Sequence, residues 1–365
     1  MKLGAAIAEI LKREGVELIC GYPVNHVLER AAEADIRPVI VRQERTGIHM
    51  ADAISRLSSG RKIGVFAMQL GPGTENSYGG IAQAYSESVP LLVLPMGYER
   101  RLAHVDPNYN ATISMRSITK SAEPITSAAE LTNVFRRAFS RLRNGRGRPV
   151  LIEIPNDMWQ HEVPEPLDYR PVLATRYGPD PAAVTEAVDQ LLAAKRPVLY
   201  AGQGVHYARA WPQLKALAER LAIPVSTSLE GKSAFPETHE LSIGAGGAAI
   251  SKTLRHFLDA SDLIFGIGCS FTETAFGVQM PLGKTVIHAT LDPDHVNKDI
   301  EAKVALVGDA GLTLDAVLAE LDRREMPSRD AAETAAEIAS VQAAWLAEWM
   351  PKLTSNDAPL SPYRV

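Results

Sequence analysis

The sequence predicts an α/β protein of two successive domains, each a parallel sheet covered by helices. Three observations carry that reading. Short apolar runs alternate with segments of helical period. The runs are apolar at nearly every position, as strands buried on both faces are. The rhythm stops in a proline-rich stretch, residues 156–179, and then restarts. A length of 365 residues also suits two domains.

The first segment, MKLGAAIAEILKREGVELI, has the apolar look of a signal peptide. Glu9, Lys12, Arg13 and Glu14 interrupt it, and its apolar spacing is helical. It reads as the first amphipathic helix of a cytoplasmic protein. ELICGY (Glu17–Tyr22) reads as a strand and VNHVLERAAEA as a helix. RPVIVRQE (Arg37–Glu44) reads as a strand, RTGIHMADAISRLSSG as a helix and KIGVFAMQL (Lys62–Leu70) as a strand. A Gly-rich loop then leads into a helix of small residues reaching about Ser88. PLLVLPM (Pro90–Met96) is a strand, residues 128–145 a helix, and RPVLIEIP (Arg148–Pro155) the closing strand.

After the proline-rich stretch, DPAAVTEAVDQLLAAK reads as a helix, RPVLYAGQG as a strand with a glycine turn, and AWPQLKALAERLA as a helix. IPVSTS is a strand, SKTLRHFLDA a helix, and DLIFGIGC and KTVIHATLD are strands. GLTLDAVLAELDRR is a helix, capped by Asp309. From about Glu325 the pattern is Ala-rich and helical, then frays. The expected division is therefore residues 1–160, a linker 161–179, a second domain 180–325, and a helical tail 326–365.

Composition narrows the function. Hydrophobic residues make up 46% and charged residues 22%, with a net charge of -5, so no nucleic-acid-binding surface is expected. No run of about 18 apolar residues marks a membrane span. Cys20 and Cys269 stand far apart in apolar settings and read as core residues. His49, His104, His206, His239 and His288 show no ligand spacing, so no metal site is expected from them.

Chemistry is expected where three loops gather. GYPV (Gly21–Val24), QER (Gln43–Arg45) and GPGTEN (Gly71–Asn76) each follow a strand and precede a helix. In an open parallel sheet such loops share the carboxyl edge, where ligands bind. The lysine of a phosphate-binding loop is missing after Gly71. Glu44, at the end of an apolar run, is placed to share a proton with a ligand nitrogen. It reads equally as an acid favoured at a helix start.

Taken together, these stretches resemble the thiamine-diphosphate enzymes of the acetolactate synthase, pyruvate oxidase and benzoylformate decarboxylase superfamily. GVELICGYPVNHVLE, VIVRQERTGIHMADAISRLSSGRKIGVF, LGPGTENSYGGIAQAYSESVPLLVLPMG, RSITKSAE and GRPVLIEIPNDMW are similar to the pyrimidine-binding domain of that superfamily. AGQGV, IPVSTSLEGKSAFPETHELSIGAGG, SDLIFGIGCSF, VIHATLDPDHVNKD and VGDAGLTLDAVL are similar to its Rossmann-like central domain. The resemblance implies that Glu44 is the catalytic glutamate, which hydrogen-bonds the aminopyrimidine ring of the cofactor. It implies that Pro23 and Val24 lie on the loop facing the neighbouring cofactor site, and that Gly73 and Asn76 contact the aminopyrimidine. Gln69, Tyr109 and Asn110 match positions that line the substrate site in relatives. Gln69 reads equally as a capping or core amide, and Tyr109 as packing.

In that superfamily a third domain holds the diphosphate and its Mg2+. The segment Gly308-Asp309-Ala310 imitates only the first part of the motif that does so. The resemblance therefore implies a subunit or fragment acting on a 2-oxo acid. A homodimer, a separate diphosphate-binding chain, or both would complete the site. FAD is not expected, because Ser270–Thr274 lacks the arginines of flavin-binding relatives. Asp292 could meet a ribose. Alternatives are a non-catalytic nucleotide-binding or regulatory module and, less well matched, a flavin-dependent oxidase.

Overall fold

In the computed structural model, which describes all residues 1–365, the chain divides into two units, Met1–Thr175 and Arg176–Val365. The elements of the first are α1 (Leu3–Arg13), β1 (Leu18–Gly21), α2 (Val27–Glu33), β2 (Arg37–Ile40), α3 (Glu44–Leu57), β3 (Gly64–Met68), α4 (Pro72–Ser86), β4 (Leu91–Gly97), the short turn α5 (Ala111–Ser114), β5 (Ser121–Pro124), α6 (Leu131–Arg143) and β6 (Val150–Pro155). The strands pair in parallel in the order β2-β1-β3-β4-β6-β5. The central strands β3, β4 and β6 are buried at every residue, which is why they read as unbroken apolar runs.

The sheet has two packed faces. Leu92, Leu94, Ile152 and Ile154 join a core with Ile7, Leu11, Phe135 and Phe139 of α1 and α6. Val93 and Leu151 point the other way, with Ile48 of α3, Ile81 of α4 and Met115. Sealing apolar surface on both faces is the main stabilising term, at roughly 25 cal/mol per Å².

Three local readings change. The strand expected over 37–44 ends at Ile40, because its only partner β1 ends at Gly21. Glu44 therefore opens α3 rather than closing a strand. The edge strand β5, SAEP, is four residues long and half-buried, too short to show a period. Part of the stretch read as a linker lies in the first unit, since Val163, Leu167 and Tyr169 are buried in its core.

The second unit contains α7 (Pro181–Ala193), β7 (Pro197–Ala201), the single turn α8 (Gly204–Ala208), α9 (Trp211–Leu221), β8 (Val225–Ser228), β9 (Ser242–Gly246), α10 (Lys252–Ala260), β10 (Leu263–Ile267), β11 (Thr285–Thr290), β12 (Val304–Val307), α11 (Ala310–Arg323) and α12 (Ala332–Leu353). Its strands are also all parallel, in the order β12-β11-β10-β7-β8-β9. The Asp309 carboxylate caps α11, accepting from the amides of Gly311 and Leu312 at 3.0 and 3.1 Å. The Ala-rich segment forms α12. Glu337 fastens it, accepting from Arg196 at 2.6 Å and lying 2.7 Å from His256 Nε2. No helix is long and apolar enough to cross a membrane.

Candidate active site

In the first sheet, β1 is followed by β2 on one side and, after α3, by β3 on the other. The winding reverses between β1 and β3. A crevice opens at the carboxyl ends of strands at such a reversal, and ligands settle there. The loops after β1, β2 and β3 meet at this edge and carry the three motifs singled out from sequence.

Glu44 is the first residue of α3 and is only 4% exposed. Its position in the first turn sets its charge against the positive end of the helix dipole. The side-chain amide of Asn76, in the second turn of α4, donates to Glu44 Oε2 at 3.2 Å. The other carboxylate oxygen is left open. An ideal Cβ built on Gly73 would lie 3.1 Å from Glu44 Oε1 and 2.7 Å from the Cβ of Gln69. Glycine at 73 therefore lets the backbone of α4 come close to Oε1 and to Gln69.

The bend that leads into α4 is held from both ends. Gly71 precedes α4 with φ 57° and ψ -111°, a conformation that favours glycine. Pro72 follows at the first helical position, where its missing N–H costs nothing. The Thr74 hydroxyl donates to the Gln69 carbonyl at 3.0 Å, and the Ser77 hydroxyl to the Gly73 carbonyl at 2.8 Å.

The other expected site residues are spread along the same edge. Gln69 packs its aliphatic stem against Gly73. Pro23 and Val24 are exposed on the β1–α2 turn. Tyr109 is half-buried against the α3–α4 face. Burial pushes that phenol up from its ordinary value. The Asn110 side chain is occupied as the cap of α5, its oxygen accepting from the Ile113 amide at 3.0 Å and the Thr112 hydroxyl at 2.8 Å. Asn110 thus shapes the loop by its own hydrogen bonds.

Sequence reasoning missed three residues here. Asn25 is 1% exposed, and its amide donates to the carbonyls of Met68 and Leu94 at 2.8 and 2.9 Å. It ties the first loop to the end of β3 and the middle of β4. Tyr98, just past β4, brings its hydroxyl to 3.1 Å from an ideal Cβ on Gly71. Glu153 lies buried within β6. The one available signal was an acid inside the apolar run RPVLIEIP.

In the second unit the corresponding crevice lies between β7 and β10. There the Gly204 amide donates to the Gly268 carbonyl at 2.8 Å. Phe271 stacks on Tyr200, with ring centroids 5.9 Å apart, and packs edge-on to His288. The Asp292 carboxylate accepts from the Asp294 amide at 3.2 Å and lies 3.7 Å from His295 Nε2. Nowhere do three or more His, Cys, Asp or Glu side chains gather in a way that could hold a metal ion.

Residues 1–120 match the family model described as the N-terminal TPP binding domain of thiamine pyrophosphate enzymes. Residues 184–317 match that of the central domain of the same enzymes. The chain belongs to the thiamine pyrophosphate enzyme family. A probable acetolactate synthase large subunit of Methanocaldococcus jannaschii is 31% identical, over all of this chain and 62% of that protein. A probable 2-ketoarginine decarboxylase of Pseudomonas aeruginosa is 33% identical, over 93% of this chain and 61% of that protein. The solved structure of benzoylformate decarboxylase from Polynucleobacter necessarius superposes with a TM-score of 0.77 at 26% identity, covering 91% of this chain and 62% of that one. The chain thus spans less than two thirds of the length of these relatives.

Proposed function

We propose that this chain supplies the aminopyrimidine half of a thiamine-diphosphate site, in an enzyme that decarboxylates or carboligates a 2-oxo acid. One observation carries the reading. Glu44 is a buried carboxylate with one oxygen tied by Asn76 and the other beside the glycine backbone at Gly73. A planar ring with a basic nitrogen is the kind of partner that the second carboxylate oxygen would take. The names of the relatives, acetolactate synthases and a 2-ketoarginine decarboxylase, support a 2-oxo acid as substrate.

Bound there, thiamine diphosphate supplies the carbanion-stabilising chemistry of such reactions. This chain's residues orient it and handle protons. Asn76 fixes the Glu44 carboxylate in one rotamer, so the open oxygen presents a lone pair in a set direction. Glu44 would hold a proton between its open oxygen and a ring nitrogen of the bound cofactor. Burial keeps water from competing for that proton. Gln69, next to Gly73, is a neutral amide that can orient a carboxylate or carbonyl but cannot act as a general acid. Tyr109 lines the outer side of the same edge, and Pro23 and Val24 face an adjoining subunit.

The diphosphate and Mg2+ belong, in this reading, to a partner chain or to further sequence of the kind the relatives contain. Val24, Ile40, Tyr78 and Val105 are exposed at or beside the same sheet edge and offer apolar surface to such a partner or to a second copy. The enzyme is read as cytoplasmic.

The test is CO2 release from a panel of 2-oxo acids by this chain together with a diphosphate-binding partner or domain. Turnover that requires thiamine diphosphate and disappears in Glu44→Gln is expected. Turnover independent of the cofactor overturns the reading. So does calorimetry showing tight adenine-nucleotide binding and no thiamine diphosphate binding in the same assembly.

A further inference from the structure

A cavity of about 180 Å³ lies in the second unit, where β7 begins and α9 leads into β8. All strands of this sheet are parallel, so this is its amino edge. The glycine turns after β7 and β10 open the opposite, carboxyl edge. The floor of the cavity is apolar and fixed. Val198, Leu221 and Phe257 line it and are 1, 2 and 4% exposed. The first turns of α12 close one side through Thr334 and Glu337. Sites for drug-sized ligands run to about 300–1,000 Å³, so this one selects a smaller molecule.

The mouth is cationic. Lys195, Arg196 and Arg329 line it against two acids, Asp330 and Glu337. Both acids are engaged. Glu337 Oε1 lies 2.6 Å from the Arg196 guanidinium and 2.7 Å from His256 Nε2, and Asp330 accepts from the Ala332 amide at 3.0 Å. Lys195 and Arg329 stand in no ion pair, and the Arg329 guanidinium reaches only the Leu192 carbonyl, at 3.4 Å. Their backbone is nevertheless anchored. The Asp262 carboxylate accepts from the amides of Lys195 and Arg196 at 2.7 and 2.9 Å, and the Arg329 amide donates to the Arg220 carbonyl at 2.9 Å. Two unpaired cations thus stand on fixed backbone at the rim of an apolar cavity.

We propose that this cavity is a binding site for a small carboxylic acid with an apolar body. Lys195 and Arg329 take the carboxylate at the mouth, and Val198, Leu221 and Phe257 take the body. Arg329 offers paired N–H donors that match a carboxylate, and Lys195 adds a point charge. The body removes apolar surface from water as it settles on the floor. An inorganic anion leaves that floor wet. A neutral apolar molecule leaves both cations without a counter-charge. The site is built wholly from residues of the second unit, and none of them belongs to the chemistry assigned to Glu44.

Calorimetry of the full chain, without thiamine diphosphate, tests the site with benzoate, benzyl alcohol and inorganic phosphate as probes. Benzoate is expected to bind roughly tenfold more tightly than either of the others, or better. In the double variant Lys195→Ala, Arg329→Ala, which changes two exposed side chains, benzoate affinity is expected to fall roughly tenfold or more. Thr334→Phe fills the cavity from a half-buried position on α12 and keeps both cations, and is expected to abolish binding. Absence of benzoate binding to the unaltered chain overturns the proposal. So does phosphate or benzyl alcohol binding as tight as that of benzoate. Benzoate affinity that is unchanged in the double variant places the ligand elsewhere and overturns it too. None of these outcomes depends on thiamine diphosphate, so failure of this site is distinct from failure of the functional reading.

Discussion

The side-chain amide of Asn76 donates to the Glu44 carboxylate at 3.2 Å, joining the first turn of α3 to the second turn of α4. The two residues belong to helices that follow different strands. Their meeting leaves one carboxylate oxygen occupied and the other free, which is what a proton-handling acid needs.

Replacing Glu44 with glutamine removes the exchangeable charge and keeps the volume. Cofactor-dependent turnover of the assembled enzyme is expected to fall by roughly 10²-fold or more. Circular dichroism and the melting temperature are expected to stay close to those of the unaltered chain. Near-normal turnover would remove Glu44 from its assigned role.

Asn76→Ala should act through orientation. A hydrogen bond to a charged group contributes about 1.5–3 kcal/mol. The Kd for thiamine diphosphate in the assembled enzyme is expected to rise roughly tenfold, read by calorimetry. An unchanged Kd would mean that Glu44 is held by burial alone.

Gly73→Ala places a methyl group 2.7 Å from the Gln69 Cβ and 3.1 Å from Glu44 Oε1. The start of α4 must then move away from Gln69 and Glu44. Cofactor binding is expected to weaken more than in Asn76→Ala, and stability, read by chemical denaturation, to fall by about 1–3 kcal/mol.

The pH dependence of stability should report Glu153. Its folded value, about 7, lies above the ordinary 4.5. Its contribution is therefore fully present below about 4.5 and is lost as pH rises through about 7. Glu153→Gln has no such proton to lose. The difference in melting temperature, unaltered chain minus Glu153→Gln, is expected to decline across that window and then level off. A constant difference would show that Glu153 does not titrate there.

Far from the site, Arg143 Nη1 lies 2.7 Å from Glu14 Oε2, and the Glu14 carboxylate is fully buried. Tyr169 donates to its other oxygen at 2.6 Å. Arg143→Met would leave that charge without its cation. A destabilisation of roughly 3–5 kcal/mol is expected in denaturant unfolding of the first unit. A loss below about 1 kcal/mol would count against a buried ion pair here.

Much of this was legible from local pattern. The central strands are buried on both faces, so LLVLP and LIEIP announce themselves without any partner in view. Asp309 was identifiable as a cap from its place before an apolar helix. Glu44, Gly73 and Asn76 stood out because they follow strands. The readings that changed lie at edges. Β2 and β5 are short outer strands with mixed exposure, and their ends are set by how far the neighbouring strand runs. Asn25 gave no signal, because its role is defined by two carbonyls 43 and 69 residues away.

By itself, then, the sequence determined the kinds of element, their order and the family, since amphipathic and buried periods are local consequences of which face meets water. It also marked Glu44 as an acid at the carboxyl edge. Tertiary structure alone decided what Glu44 touches. Asn76, 32 residues on, reaches it because the parallel crossover through α3 and β3 brings α4 back beside α3. It also decided that Glu153, an acid in an apolar strand, is buried against Gly97 of the neighbouring strand. Such contacts depend on how strands order themselves in a sheet, and no local period encodes that order.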